Sequence, residues 1–387
     1  MIKREAEATV KELARGYPVV IITGPRQSGK TTLARSAFPD KEYVSLENLD
    51  TRGSANEDPR LFLDRYPDGA IFDEVQHCPD LLSYMQEAID FSSSTGDFIL
   101  TGSQRFGVLS GITQSLAGRA AHLELLPFSL SELSDFIPSY TLDGIMFSGL
   151  YPPVHDRELD PGIWAGNYIR SYVERDVRRL INVKDLSVFQ RFVGLCAGRI
   201  GQLVNLSSMA ADAGITHNTA KEWISLLEAC YIVFLLRPHH RNFSKRLIKS
   251  PKLYFHDTGL ASYLLSIETE RTMNLSSMRG PLFENLIVSE MLKTRYNSGR
   301  RNNLHFWRDR AGHEVDVIVD RGDVFIPVEM KSGQTVTTDS FKGLNWMKAL
   351  ASEDDSFLVY GGERSYYRAG TSVISWRDHT AIRSIQT

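Results

Sequence analysis

The run Gly24-Pro-Arg-Gln-Ser-Gly29-Lys30-Thr31 follows directly on an apolar stretch, Pro18-Val-Val-Ile-Ile-Thr23, and leads into Thr31–Ala37, which reads as a helix. A strand that turns through a glycine-rich loop into a helix leaves few folds open. The glycines let the backbone curl around a phosphate, and the loop N–H groups together with the helix N-terminus supply positive potential. In the pattern GxxxxGK[ST], the lysine reaches the β- and γ-phosphates and the hydroxyl reaches Mg²⁺. The candidate nucleotide contacts are therefore Gly24, Pro25, Arg26, Gln27, Ser28, Gly29, Lys30, Thr31 and Thr32, and the expected cofactors are ATP and Mg²⁺.

The following residues extend this unit. A helix near residues 1–14 precedes the loop, and strands are expected at Glu42–Leu46, Gly69–Phe72 and Asp97–Thr101, alternating with helices near Pro59–Arg65 and over Asp80–Asp90. Short apolar strands alternating with helices imply βαβ units and a mostly parallel sheet. The strand Ala70-Ile-Phe ends in Asp73-Glu74. Asp73 would hold Mg²⁺ with Thr31, and Glu74 would polarise the attacking water. Thr101-Gly-Ser103-Gln104 ends the next strand, where Ser103 could sense the γ-phosphate. Arg119, in Ser115-Leu-Ala-Gly-Arg119, is a candidate arginine finger donated by a neighbouring subunit; a solvated arginine is the plainer reading.

A chain of 387 residues is long enough for two or three domains, each with its own core. Its net charge of -3, from 44 Lys and Arg against 47 Asp and Glu, does not mark a nucleic-acid binder, although a local patch can hide in such a sum. The three cysteines, Cys78, Cys196 and Cys230, are widely spaced and make neither a disulfide framework nor a zinc cluster. The longest apolar run, Tyr231–Leu236, is too short to span a bilayer. No membrane partner and a cytoplasmic location are expected.

Beyond Pro127 the character changes. Residues 128–195 read as helical, with an amphipathic stretch over Trp164–Leu180. Leu206–Gly214 and Thr216–Leu227 read as helix, turn, helix, and strand-like segments on either side of Asn242–Lys249 would form a wing. Ala229–His256 holds six basic residues, Lys252 among them, and no Asp or Glu. Lys221 on the second helix and Arg241, Lys245, Arg246 and Lys249 in the wing are candidate phosphate contacts. A winged helix that serves only as a lid or spacer is the alternative.

A third constellation lies further on. A helix over Leu282–Lys293 precedes Glu314–Asp320 and Val324–Lys331, which read as a hairpin. Residues i and i+2 share a face of a strand, so Glu329 and Lys331 point the same way, with Asp316 opposite and Glu284 on the helix. Such acids could hold Mg²⁺ or Mn²⁺ while Lys331 orients water, the D…ExK pattern of PD-(D/E)xK nucleases. Retention of the fold without the chemistry, the carboxylates being paired to lysine or arginine, is the competing expectation.

Thr23-Gly-Pro-Arg-Gln-Ser-Gly-Lys30, Phe72-Asp-Glu-Val-Gln76, Leu100-Thr-Gly-Ser103, Leu116-Ala-Gly-Arg119 and Ser250-Pro-Lys-Leu-Tyr-Phe-His-Asp-Thr-Gly-Leu260 together resemble prokaryotic AAA-type ATPases that carry a C-terminal domain of unknown function related to PD-(D/E)xK nucleases. The resemblance covers essentially the whole chain. It implies an α/β fold in four parts: an AAA-type parallel-sheet ATPase core over 1–127, a helical segment over 128–195, a winged helix-turn-helix over 196–260 and a nuclease-like α/β domain over 261–387. It also suggests a homo-oligomeric ring, a hexamer or smaller. The expected function is Mg²⁺-dependent ATP hydrolysis coupled to binding or processing of DNA or another nucleic acid. The alternative is an ATP-driven protein-interaction switch or remodeller whose nuclease-like domain is silent.

Overall fold

The computed structural model describes residues 2–91, 94–103, 116–173, 185–239, 249–309, 311–351 and 355–386. The chain divides into two compact units. The first is Met1–Pro127 together with the short pieces Ala229–Tyr231 and Tyr296–Arg300; the second holds the rest.

In the first unit, helix α1 (Ala6–Gly16) leads into β1 (Val19–Thr23), α2 (Lys30–Ala37), β2 (Glu42–Ser45), α3 (Leu49–Glu57), α4 (Pro59–Asp64), β3 (Ala70–Asp73), α5 (Leu81–Phe91), β4 (Phe98–Gly102) and β5 (Ala120–Glu124). The strands form one parallel sheet in the order β2-β3-β4-β1-β5. The alternation of β1 explains how the sheet is covered on both sides. Val19 and Ile21 join a core with Phe62, Phe72, Leu81 and Leu100, whereas Val20 and Ile22 pack with Val10 of α1 and with Leu33, Ile71 and Leu123. All five residues of β1 are buried, as a strand covered on both faces requires.

Two elements were not anticipated. Helix α3 has weak amphipathic character and starts on an Asn48 cap, whose side chain accepts the N–H groups of Asp50 and Thr51. Strand β5 is built of Ala-Ala-His-Leu-Glu, too mixed to stand out from its sequence, and it completes the sheet by pairing beside β1.

In the second unit, α6 (Leu142–Ser148), α7 (Pro152–Asp156) and α8 (Pro161–Tyr168) fill part of the expected helical segment. The amphipathic helix expected over Trp164–Leu180 is not continuous. It ends at Tyr168 and loosens into a π-turn over Ile169–Val173, and residues 174–180 lie outside the described residues. After α9 (Leu186–Ala197), the helix–turn–helix pair forms as expected: α10 (Leu206–Ala213) is capped by Asn205 and stopped by left-handed Gly214, and α11 (His217–Ala229) follows. Antiparallel β6 (Val233–Leu236) and β7 (Lys252–Phe255) come next.

The chain continues through α12 (Thr258–Leu264), α13 (Glu270–Leu275) and α14 (Arg279–Asn297), the last longer at both ends than expected. Strands β8 (Leu304–Arg308), β9 (Glu314–Asp320) and β10 (Phe325–Lys331), helix α15 (Lys342–Ala351), strands β11 (Phe357–Tyr360), β12 (Tyr366–Arg368) and β13 (Thr371–Ser375), and helix α16 (His379–Ser384) complete it. The sheet order is β12-β13-β11-β10-β9-β8, antiparallel from β8 to β10 and parallel through β10, β11 and β13. No helix among the described residues is long and apolar enough to cross a membrane.

Candidate functional site

The loop from Gly24 to Gly29 turns by left-handed backbone at Gln27 and Gly29 and by an extreme φ of 154° at Gly24. Gly24 has to be glycine: a Cβ there would sit 2.0 Å from the Leu125 carbonyl oxygen. Arg4 braces the loop from below. This residue, which sequence reasoning missed, is buried and donates to the carbonyls of Ser28 at 2.5 Å and Leu126 at 2.7 Å. No local motif marks it, because it lies twenty residues before the loop it supports.

Lys30 is buried and donates to the carbonyls of Gly24 and Pro25 at 3.0 and 2.8 Å. Burial lowers its pKa, partly offset by the charges of Glu74 and Asp73. The buried Ser28 hydroxyl oxygen has no protein partner. Of the other candidate contacts, Pro25 is buried, Arg26 is half-buried, and Gln27 and Thr32 are exposed. A cradle of glycines, an orphaned hydroxyl and a buried cation folded over the loop suit a polyphosphate.

Because β4 lies between β1 and β3, the ends of all three strands converge. Thr31 Oγ1 donates to both Asp73 carboxylate oxygens at 2.9 and 3.0 Å, the Tyr43 hydroxyl donates to one at 2.8 Å, and Thr101 donates to the other. The Tyr43 pKa is pushed up to about 12, first by burial and then by this bond. Glu74, in left-handed backbone with φ 59°, donates its N–H to the Thr101 hydroxyl at 3.2 Å. That conformation is uncommon for glutamate and is the kind of strain that collects at working sites. The Glu74 carboxylate accepts from Ser103 Oγ at 2.9 Å and from Gln76, and Gln76 also donates to Ser103 at 3.1 Å. Burial alone would raise the Glu74 pKa, but Lys30, Gln76 and Arg26 outweigh it and hold it below the ordinary value.

The structure thus brings Lys30, Thr31, Asp73, Glu74 and Ser103 together and adds Tyr43, Thr101 and Gln76. Gln104 lies outside the described residues. Arg119 is placed elsewhere. It precedes β5 level with Val19, whose N–H reaches the Arg119 carbonyl at 3.3 Å, and its guanidinium is held by Asp90 at 2.5 and 2.9 Å. Five strand residues at roughly 3.3 Å each set it about 16 Å from the loop in its own chain. Any contact with a phosphate would therefore be made in a second copy.

The other candidate residues divide as well. Lys221 and Lys249 are exposed, and Arg241, Lys245 and Arg246 lie outside the described residues. Lys252 is not a surface cation: it is buried against Glu284 at 3.1 Å and Glu314 at 2.5 Å. The acidic constellation does assemble, since the β9–β10 register, carried one step further, sets Asp316 opposite Glu329. Lys331 Nζ lies 2.8 Å from Glu329 and 3.8 Å from Asp316. Asp316 also accepts the Met330 N–H at 2.9 Å. Burial and the nearby Asp316 raise the Glu329 pKa. Glu284 departs from the expectation of a third metal ligand, because its carboxylate is taken up by Lys252 and the Tyr254 hydroxyl. Among the described residues no group of three or more His, Cys, Asp or Glu is arranged to hold a metal ion.

Comparison with known proteins matches these parts to three families. Residues 16–134 match the family described as an AAA domain, and this stretch is an AAA-type P-loop domain. Residues 140–271 and 279–378 match two domains of unknown function. The first of these matches runs through both the helical segment and the helix–turn–helix, and the second carries no stated relation to nucleases. Uncharacterized proteins of Mycobacterium bovis and Mycobacterium tuberculosis are each 28% identical over 323 residues, covering 82% of this chain and 71% of theirs. Among solved structures, the Walker-type ATPase of Pyrococcus abyssi is similar over 68% of this chain and 96% of its own, at 14% identity and TM-score 0.44. AMPPCP-bound DnaA from Aquifex aeolicus is similar over 58% of this chain and 85% of its own, at 16% identity and TM-score 0.28.

Proposed function

We propose that the chain is a Mg²⁺-dependent ATPase whose turnover is coupled to nucleic acid. The observation that carries the ATPase reading is the shared network of Thr31, Asp73, Thr101, Glu74 and Ser103 beside the lysine-bearing loop. Lys30 and the loop N–H groups would bind the triphosphate, and Thr31 and Asp73 would hold Mg²⁺, which neutralises phosphate charge. Glu74, kept ionised by its surroundings and oriented by Ser103 and Gln76, would take a proton from the attacking water. Lys30→Ala should lose ATP binding, whereas Glu74→Gln should bind ATP without turning it over. Normal turnover by either variant would refute the assignment.

The nucleic-acid part is supported by the helix–turn–helix pair, with α11 carrying exposed Lys221, and by the antiparallel strands that follow it, a succession that suits a winged helix. Phosphate contacts by this segment would make binding fall steeply with salt. ATP turnover measured with and without DNA and RNA tests the coupling: stimulation supports it, and unchanged turnover favours a protein-directed switch with a silent C-terminal domain. One observation already favours silence there: the Glu284 carboxylate, expected as a metal ligand, is taken up by Lys252 and the Tyr254 hydroxyl.

A further inference from the structure

The run Pro251-Lys-Leu-Tyr-Phe, which lies outside both the nucleotide loop and the D…ExK residues, acquires a role from where β7 places it. The Lys252 side chain is 2% exposed. Its ammonium group lies 3.1 Å from Glu284 of α14 and 2.5 Å from Glu314 of β9, over the face of the Phe306 ring at 5.6 Å. Two carboxylates and one aromatic face are a full complement for a group with three N–H donors.

We infer that Lys252 is a resident cation of this acidic cluster: its ammonium group fills the space between Glu284 and Glu314 and closes the cluster to metal. The inference deepens the reading of a silent domain, but it is tested separately, by metal binding and not by cleavage.

Two features support it. The lysine is delivered by a paired strand: Lys252 stands opposite Leu236 in the β6–β7 pair and forms a second bridge to Leu203. The strand is in turn tied to the helix that carries Glu284, since Asn285 accepts the Phe255 N–H at 2.7 Å and donates to its carbonyl at 2.8 Å. The ammonium group is thus held in position by the backbone on both sides.

The remaining partners of the acids are donors too. Tyr254 donates to Glu284, Arg308 pairs with Glu314 at 3.1 Å, and Lys331 serves Asp316 and Glu329. Four carboxylates are therefore matched by three cations, so the charge that would attract a divalent ion is largely cancelled.

Mn²⁺ binding by the full-length protein without nucleotide tests this, with Asp73→Asn in every sample to remove the nucleotide-site ligand. The lysine-intact protein is expected to bind no Mn²⁺ in titrations followed by the electron paramagnetic resonance of free Mn²⁺. Lys252→Met, which keeps the volume and removes the charge, is expected to gain one Mn²⁺ per chain and to lose it again when Glu284→Gln is added. Mn²⁺ bound by the lysine-intact protein and lost with Glu284→Gln would overturn the inference. So would a folded Lys252→Met protein that binds none. Should Lys252→Met fail to fold, Lys252→Gln, which removes the charge but keeps a hydrogen-bond donor for the carboxylates, is read in the same two ways.

Discussion

At the scale of single residues, the nucleotide site is an arrangement of hydroxyl groups around one carboxylate. Asp73 accepts from Thr31, Thr101 and Tyr43, and only Thr31 belongs to the loop motif. Tyr43→Phe removes one donor and leaves the ring, so it is expected to raise the Mg²⁺ concentration for half-maximal turnover by roughly 3- to 10-fold, about the worth of one hydrogen bond. Metal titrations of ATPase activity measure this. Gly24→Ala is expected to abolish ATP binding, read by fluorescent-nucleotide titration, because the added methyl collides with the Leu125 backbone.

Glu74 gives a pH dependence whose sign can be worked out. Its folded pKa lies below the ordinary value of 4.5, so the stability it contributes is present above that value and is lost as the pH falls through the folded one. The stability difference between wild type and Glu74→Gln, from urea midpoints, should therefore shrink between about pH 6 and about pH 3. Arg26, Ser28 and Lys30 could be read from the motif, but Arg4 and Tyr43 could not, since neither is near it in the chain and strand residues like Tyr43 are common.

At the scale of elements, the site depends on strand order. Insertion of β4 between β1 and β3 brings Thr101 and Ser103 between the loop and the acidic pair Asp73-Glu74. The apolar runs of β1, β3 and β4 were legible because each is buried on both faces, whereas β5 was not because its residues alternate with half-exposed ones. Phe72 of β3 sits in a group of rings with Phe62, Tyr66 and Phe98, at centroid distances of 5.7, 5.4 and 5.8 Å. Phe72→Ala is expected to cost about 3–5 kcal/mol in urea unfolding, since neighbouring rings cannot collapse into so large a gap. The β9–β10 hairpin was readable from its alternation and from its 13-residue offset between Asp316 and Glu329, which the register places opposite each other.

At the scale of the whole molecule, Arg119 is the informative residue. It sits at the far end of the sheet from the loop and is paired with Asp90, so a role in hydrolysis requires a second copy of the chain. If it acts as a finger, turnover per chain should rise with protein concentration and Arg119→Ala should remove that rise without lowering the dilute rate. A rate independent of concentration in both proteins would dismiss the finger. The two units each carry their own sheet and core, which accords with a chain long enough for more than one domain.

By itself the sequence determined the strand–loop–helix of the nucleotide site, the acids at the end of β3, the helix–turn–helix and the register-dependent pairing of Asp316 with Glu329. Each of these is specified by neighbours in the chain: backbone freedom at glycine, periodicity, caps and turn residues. Only the tertiary structure decided the brace from Arg4, the hydroxyl of Tyr43 on Asp73, the distance of Arg119 from the loop and the burial of Lys252. A count of charges along Ala229–His256 reads Lys252 as one more surface cation. The reason it is not lies in residues 284 and 314, which meet it only because a strand, a helix and a second sheet fold around a buried ammonium group that water can no longer solvate.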